Sequence, residues 1–241
     1  MMKNVVITGA TRGLGLAIAE ELRRVGGYCL ICIGRKRNAE FDIFQEQDPE
    51  YTDYVEYDLA DLDGIPKLVT GITKEIGPIY GLVNNAGIGL DGLLATQHNS
   101  EISKVLRVNL EAPILLTKYV CRGMLTKREG RIINVSSIVA STGFNGLAAY
   151  AASKAGLEGF TRSLSRELGR AKITVNCLAP GYMETDMTAA LEGEKLNSVR
   201  RRAPLGLPSP GNVATTVSYL LSDGAKMMTG SVITVDGGST A

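Results

Sequence analysis

The chain has little with which to hold a metal. Its 241 residues include one histidine, His98, and four cysteines, Cys29, Cys32, Cys121 and Cys177. A zinc or redox reading of Cys29-x-x-Cys32 needs a second Cys or His pair, and the sequence offers none. Both thiols fall in a stretch that reads as a strand, where an offset of three sends side chains to opposite faces. They are read as buried thiols, and His98, beside Thr96-Gln97 in a polar helix-start region, is given no metal or general-base role. Nowhere do 18 apolar residues run together, so no membrane span is expected. Met1-Met2-Lys3-Asn4 leads directly into Val5-Val6-Ile7 with no hydrophobic leader, from which a cytoplasmic location is expected. Lys plus Arg number 26 and Asp plus Glu 25, a net charge of +1, too balanced for a nucleic-acid or membrane-surface binder. Linkers, low-complexity tracts and repeats are missing as well. Length alone allows one or two domains; with functional motifs spread over the whole chain, one domain over 1–241 is expected.

What is present is an alternation of short β-branched runs with longer helical patterns. Strands are expected at 4–8, 28–34, 53–58, 79–84, 131–136, 173–178 and 231–235, and helices at 13–25, 61–76, 100–126, 149–170 and 211–221, with 38–51 less regular. Runs such as Arg131-Ile132-Ile133-Asn134-Val135 are apolar almost throughout, as in strands covered on both faces. The expected fold class is α/β: a doubly wound, Rossmann-type parallel sheet of seven strands with helices on both sides. Asp61 and Asp63 are expected to cap a helix. The stretch 182–204 follows a strand and breaks the rhythm; loops there border the ligand crevice, so it is a candidate substrate lid.

Thr8-Gly9-Ala10-Thr11-Arg12-Gly13-Leu14-Gly15 follows the first strand and opens the first helix. Glycines there let backbone N–H groups and the positive helix end approach a pyrophosphate. Tyr150 and Lys154 stand at i and i+4 in a helical pattern, on one face. A free phenol titrates near 10. A tyrosine exchanging protons near neutral pH therefore needs its pKa depressed, and a neighbouring ammonium with the cationic oxidised nicotinamide can do that.

The glycine spacing departs from Gly-x-Gly-x-x-Gly and matches Thr-Gly-x-x-x-Gly-x-Gly, the pattern of the short-chain dehydrogenase/reductase family. Three more segments resemble that family, in its order: Asn84-Asn85-Ala86-Gly87, Tyr150-Ala151-Ala152-Ser153-Lys154, and Pro180-Gly181 with Thr185-Asp186-Met187. The closing Thr229-Gly230 and Val235-Asp236-Gly237-Gly238 look like its last strand. The resemblance covers essentially the whole chain. It implies a catalytic tetrad of Asn109, Ser137, Tyr150 and Lys154, with Ser137 thirteen positions before Tyr150 and Ser136 the neighbouring alternative. In reduction Tyr150 would protonate the developing alkoxide and Ser137 would hydrogen-bond the same oxygen. Lys154 would hold the ribose hydroxyls and lower the phenol pKa, and Asn109 would maintain a water-linked proton path. The resemblance further implies that Asp58 and Leu59 contact the adenine, that Asn85 and Ala86, with Gly87 beside them, line the adenosine ribose side, and that Pro180, Gly181, Met183 and Thr185 border the nicotinamide.

An NAD site usually ends the second strand with an acid that binds the ribose 2′-OH. Here that position is Gly34, followed by Arg35-Lys36-Arg37, with Arg12 in the glycine turn, so NADP(H) is expected. The alternative for Lys36 and Arg37 is a solvated charge run after the strand. The segments Asn84–Ile88, Asp91-Gly92-Leu93-Leu94 and Tyr150–Gly156 look most like 3-oxoacyl-[acyl-carrier-protein] reductases of fatty-acid synthesis. Alternatives are reduction of another small ketone, sugar or alcohol, or a non-catalytic NADP(H) sensor. An acidic carrier protein as partner would want a basic rim at the cleft, for which Lys127 with Arg128, Arg170 with Lys172, and Arg200–Arg202 are candidates. The family also implies a homotetramer in which the helices at 100–126 and 149–170 pair between subunits, eased by small Ala151, Ala152, Ala155 and Gly156.

Overall fold

A computed structural model of the chain describes residues 2–183 and 193–241. Seven strands run parallel in one sheet: β1 (Lys3–Thr8), β2 (Tyr28–Gly34), β3 (Thr52–Glu56), β4 (Ile79–Asn84), β5 (Gly130–Val135), β6 (Ile173–Pro180) and β7 (Val232–Val235). Their spatial order is β3-β2-β1-β4-β5-β6-β7. The helices are α1 (Gly13–Val25), α2 (Ala39–Glu46), α3 (Ile65–Glu75), α4 (Asn99–Leu106), α5 (Ala112–Lys127), the one-turn α6 (Val139–Thr142), α7 (Ala148–Leu168), α8 (Gly193–Arg201) and α9 (Pro210–Leu221). The doubly wound α/β architecture expected from the alternation of patterns is the one observed.

Alternate residues of the central strands feed two cores. Val5, Ile7, Leu30 and Cys32 pack with Leu16 and Leu22 of α1 and with Val213 and Leu220 of α9. Val6, Ile31 and Ile33 face the other way, onto Val69 and Ile72 of α3 and Leu116 and Val120 of α5. Each such side chain contributes about 1.5–3 kcal/mol by leaving water, which is why both faces of the strands read as apolar. Cys32 is fully buried and its thiol is pushed up to about 12 by burial, while Cys29 has the opposite strand parity. The strand β7, by contrast, lies at the sheet edge and is alternately exposed.

Several expected elements shift. The helix expected at 100–126 is three pieces, α4 and α5 joined by a π-helical turn over Arg107–Glu111. An extra residue in one turn leaves the apolar spacing on either side intact, so periodicity could not reveal it. The helix expected from 61 begins at Ile65 after an N-cap at Gly64, with Pro66 in its first turn. Asp61 still serves that end, its Oδ1 accepting from Gly64 N at 3.2 Å, whereas no capping bond from Asp63 is seen. Residues 38–51 contain α2, capped by Asn38 Oδ1 accepting from Phe41 N at 2.9 Å. The lid stretch 182–204 includes α8, and its Thr185 lies outside the described residues. Gly156 uses its small size within the chain, since a Cβ there would meet Leu110 Cδ2 at 2.9 Å.

Parallel strands put all C-terminal ends on one edge of the sheet. Strand order reverses at β1, and the loops after β1 and β4 diverge to leave a crevice at that edge. The same geometry corrects the placement of two basic groups. Lys127 and Arg128 stand just before β5, and Arg170 and Lys172 just before β6. They lie at the N-terminal edge, one strand length (about 25 Å for β6) from their own chain's cleft. There Arg128 donates to Arg170 O at 2.8 Å. The helices that lead into β5 and β6 return the chain to the far edge, so the cations closing them do not border the crevice, whereas Arg202, just after α8, lines it.

Candidate active site

A cleft of about 2020 Å³ opens at the C-terminal edge of the sheet. Its floor is the turn after β1. Gly9 and Gly13 adopt φ of 66° and 53°, and a Cβ on Gly15 would stand 2.0 Å from Gly9 O, so the turn closes only around glycine. A Cβ on Gly13 would meet nothing within 4 Å, leaving open space before the start of α1. The N-cap Arg12 makes no side-chain capping bond, and the first turn of α1 holds no acid, so the positive helix end is left for an anion from outside the helix. These features suit a dinucleotide pyrophosphate.

The turn is held by the end of β4. Thr8 Oγ1 accepts from Asn85 N and Ala86 N, both at 3.0 Å, and Asn85 Nδ2 donates to Thr8 O at 2.9 Å. Thr8 was missed as a site residue, although it stands at the start of the glycine motif. At the far end of the cleft the tip of β2 presents Gly34 without a carboxylate. Arg35 is exposed there, and Arg12 lines the same cavity. Arg37 is committed elsewhere, to Asp42 Oδ1 at 2.8 Å and over the Tyr54 ring. Asp58 is bound to its own turn, its Oδ1 accepting from Ala60 N at 2.9 Å.

Ser137 follows β5 and faces the cleft, its loop pinned to β6 by Ser136 N donating to Leu178 O at 2.7 Å and Ile138 N to Pro180 O at 3.0 Å. Tyr150 comes from the first turn of α7, and its side chain lines the cleft beside Ser137. Lys154, 3% exposed, donates from Nζ to Val135 O at 2.7 Å and lies 5.6 Å from the Tyr150 ring centre. Burial lowers its pKa to about 8. Burial also raises the Tyr150 phenol, with the nearby Ser137 hydroxyl acting against that. The expected depression of the phenol by Lys154 is therefore not a property of the protein by itself: desolvation weakens the ammonium and penalises the phenolate together.

The expected cofactor residues Gly9, Thr11, Arg12, Gly13, Leu14, Gly15, Arg35, Asp58, Leu59, Asn85, Ala86, Gly87, Pro180, Gly181 and Met183 all line this cleft with Ser137, Tyr150 and Lys154. Asn109 sits behind it in the π-helical turn. Its Oδ1 accepts from Ile88 N at 2.8 Å and its Nδ2 donates to Ile88 O at 2.9 Å, tying down the loop after Gly87. Ser136 turns its hydroxyl away, to within 3.2 Å of Lys154 O and 3.0 Å of Glu158 Oε1. The cleft's other arm runs between loops joined by Gly92 N donating to Gly146 O at 3.0 Å. Leu93 and Phe144, 63% and 40% exposed, line it. The sequence reading assigned Phe144 no role, because an apolar residue in a loop carries no periodic signal. Among the described residues no group of three or more His, Cys, Asp or Glu is placed to hold a metal ion, and no helix is long and apolar enough to cross a membrane.

Residues 3–195 match the family model described as short chain dehydrogenase. The 3-oxoacyl-[acyl-carrier-protein] reductase of Vibrio cholerae is 39% identical over 237 residues, covering 98% of this chain and 96% of that protein. The protein of the same name from Pseudomonas aeruginosa is 40% identical over 241 residues, and that from Escherichia coli 37% over 244, each covering 98% of this chain and 96% of the relative.

Proposed function

The chain belongs to the short-chain dehydrogenase family, and we propose that it uses NADPH to reduce 3-oxoacyl thioesters carried on acyl carrier protein, a step of fatty-acid synthesis. The observation that carries this reading is the meeting of Ser137, Tyr150 and buried Lys154 at the end of a cleft whose other end is a glycine-rich helix start. Relatives of the same length named for that activity support the substrate. So do Leu93 and Phe144, which offer an acyl chain an apolar wall beside the reacting end.

Bound NADPH would supply the hydride. Arg12 and Arg35 would take the 2′-phosphate, since the residue ending β2 is Gly34 rather than an acid. Asp58 and Leu59 would face the adenine, and Asn85, Ala86 and Gly87 the adenosine ribose side. Pro180, Gly181 and Met183, with Thr185 beyond the described residues, would border the nicotinamide. Ser137 would hold the substrate oxygen, and Tyr150 would give it a proton as negative charge develops. A raised phenol pKa keeps that proton in place through neutral pH, which suits the donor role in reduction. Lys154 would hold the ribose hydroxyls, and Asn109 would keep the loop after Gly87 in register behind the site. The protein would work in the cytoplasm as a homotetramer.

The test is the loss of NADPH absorbance with a short 3-oxoacyl thioester, repeated with NADH. Turnover with NADPH and little with NADH is expected. Stoichiometric nucleotide binding without turnover on any 3-oxoacyl thioester would favour a sensor and overturn the reading.

A further inference from the structure

Three consecutive residues at the tip of β5 meet α7. Val135 O accepts from Lys154 Nζ at 2.7 Å. Ser137 stands beside Tyr150 in the cleft. Between them Ser136, 3% exposed, lies within reach of Lys154 O at 3.2 Å and Glu158 Oε1 at 3.0 Å. The first and last of these contacts belong to the reacting groups. The middle one does not, and it uses a charged residue.

The side chain of Glu158 is 13% exposed, and the Arg162 guanidinium stands 3.9 Å from its second oxygen. The Cys177 thiol lies nearby, and burial pushes it up to about 11. A half-buried carboxylate facing one exposed arginine adds little stability. It is a strong director, because a hydroxyl given to a carboxylate is held more firmly than one given to a neutral acceptor. Tyr150, Lys154 and Glu158 repeat at i, i+4 and i+8 along one helix face, so Glu158 sits about 12 Å from Tyr150 along the axis of α7. A bond at Glu158 thus sets how the end of β5 docks along the helix that carries the proton donor.

We propose that Ser136 and Glu158 are positioning residues: their bond bolts β5 to α7 and so sets the separation of Ser137 from Tyr150. Ser136 and Ser137 share a peptide, and any swing of the first displaces the second. A displacement of about 1 Å at a reacting group can lower turnover on the order of 100-fold. The inference rests on the reading of Ser137 and Tyr150 as the reacting pair.

The experiment compares Ser136→Ala, Glu158→Leu, the double variant and Glu158→Gln by kinetics and by crystallography of the whole protein. In each of the first three, kcat for carbonyl reduction should fall about tenfold or more, the double variant no further than either single one, since one bond is lost in all. The Michaelis constant for NADPH and the number of sites titrated by its fluorescence should stay within twofold. Glu158→Gln, whose amide oxygen still accepts, should keep most of the activity. Crystals of Ser136→Ala should show Ser137 and Tyr150 farther apart than in the wild type, and this variant alone decides the matter if Glu158→Leu does not fold. An unchanged Ser137–Tyr150 separation in Ser136→Ala, an unchanged kcat, or additive losses in the double variant would overturn the proposal. A wild-type protein inactive on every 3-oxoacyl thioester would sink the function reading, and the crystallographic separation would still decide the bolt.

Discussion

Lys154→Met should remove catalysis and, at neutral pH, make the nucleotide-free protein more stable. In the folded chain Lys154 gives up its proton near pH 8, and in the unfolded chain near 10.5. Below pH 8 both states carry the proton, and the folded state bears the full cost of a charge kept from water. The gap, 10.5 − 8 or about 2.5, corresponds to about 3 kcal/mol at roughly 1.4 kcal/mol each. Between the two values the unfolded chain binds more protons, so wild-type stability rises with pH; above 10.5 the cost has vanished. Methionine never carries it. It does lose the Nζ bond to Val135 O, worth about 1 kcal/mol, so the variant should lead by about 2 kcal/mol at pH 7. That lead should shrink by about 2 kcal/mol by pH 9.5 as the wild type recovers. Urea denaturation of both proteins at several pH values reads the difference, in which other titrating groups cancel. A variant less stable than wild type at pH 7, by an amount independent of pH, would show that the lysine sits in the fold as a satisfied ammonium and would refute the reasoning.

Tyr150→Phe should bind NADPH as the wild type does and lose roughly 100-fold or more in turnover, because only the proton donor is gone; wild-type turnover would remove Tyr150 from the role. Gly34→Asp with Arg35→Leu should shift preference toward NADH by about 1.5–3 kcal/mol per lost phosphate contact. The new Cβ would stand 2.9 Å from Thr11 Cγ2, which a rotation of Thr11 relieves. Equal use of both nucleotides by the parent would sink this argument without any substitution. Gly15→Ala should abolish nucleotide binding in a fluorescence titration and lower Tm by several degrees, since its Cβ would meet Gly9 O at 2.0 Å and backbone cannot turn aside; unimpaired binding would mean the turn is looser than its geometry.

How much the sequence discloses depends on what carries each signal. The sheet was legible because strands buried on both faces, such as Ile132-Ile133, differ plainly from helices with one apolar stripe. The glycine turn was legible because a Cβ on Gly15 would strike Gly9 O and because Gly9 and Gly13 hold a positive φ that glycine adopts most readily. Tyr150 and Lys154 share a helix, so their spacing alone put them together. The π-turn at Asn109 left no clear trace because the hydrophobic spacing on either side is intact and the phase shifts within a single turn, too short a stretch for a period to register. The pair Ser136 and Glu158 joins a strand end to a helix 22 positions later, and no local period connects them. The raised phenol of the protein without its cofactor was not legible for a related reason: a charge neighbour can be read from spacing, while desolvation depends on everything packed around it.

The basic groups at the far edge of the sheet turn that lesson into a test of assembly. Arg128 and Arg170 cannot steer an acidic carrier to their own chain's cleft, because parallel strands hold them about a strand length away. If such a carrier does dock on them, the cleft it feeds belongs to another copy. Reversing both residues to Glu should then raise the Michaelis constant for a carrier-bound 3-oxoacyl substrate at low salt and leave a short free thioester unaffected, because exposed charges act through steering that salt screens. Mixed assemblies separate the two geometries. Subunits with intact Arg128 and Arg170 but Tyr150→Phe, combined with active subunits bearing the reversal, should restore carrier-dependent turnover, since the dead subunit supplies the docking surface and the live one the chemistry. A loss that stays with the active subunit's own reversal, or no effect of the reversal on the carrier-bound substrate, would refute docking across subunits. The groups would then be ordinary cations at the chain turns leading into β5 and β6.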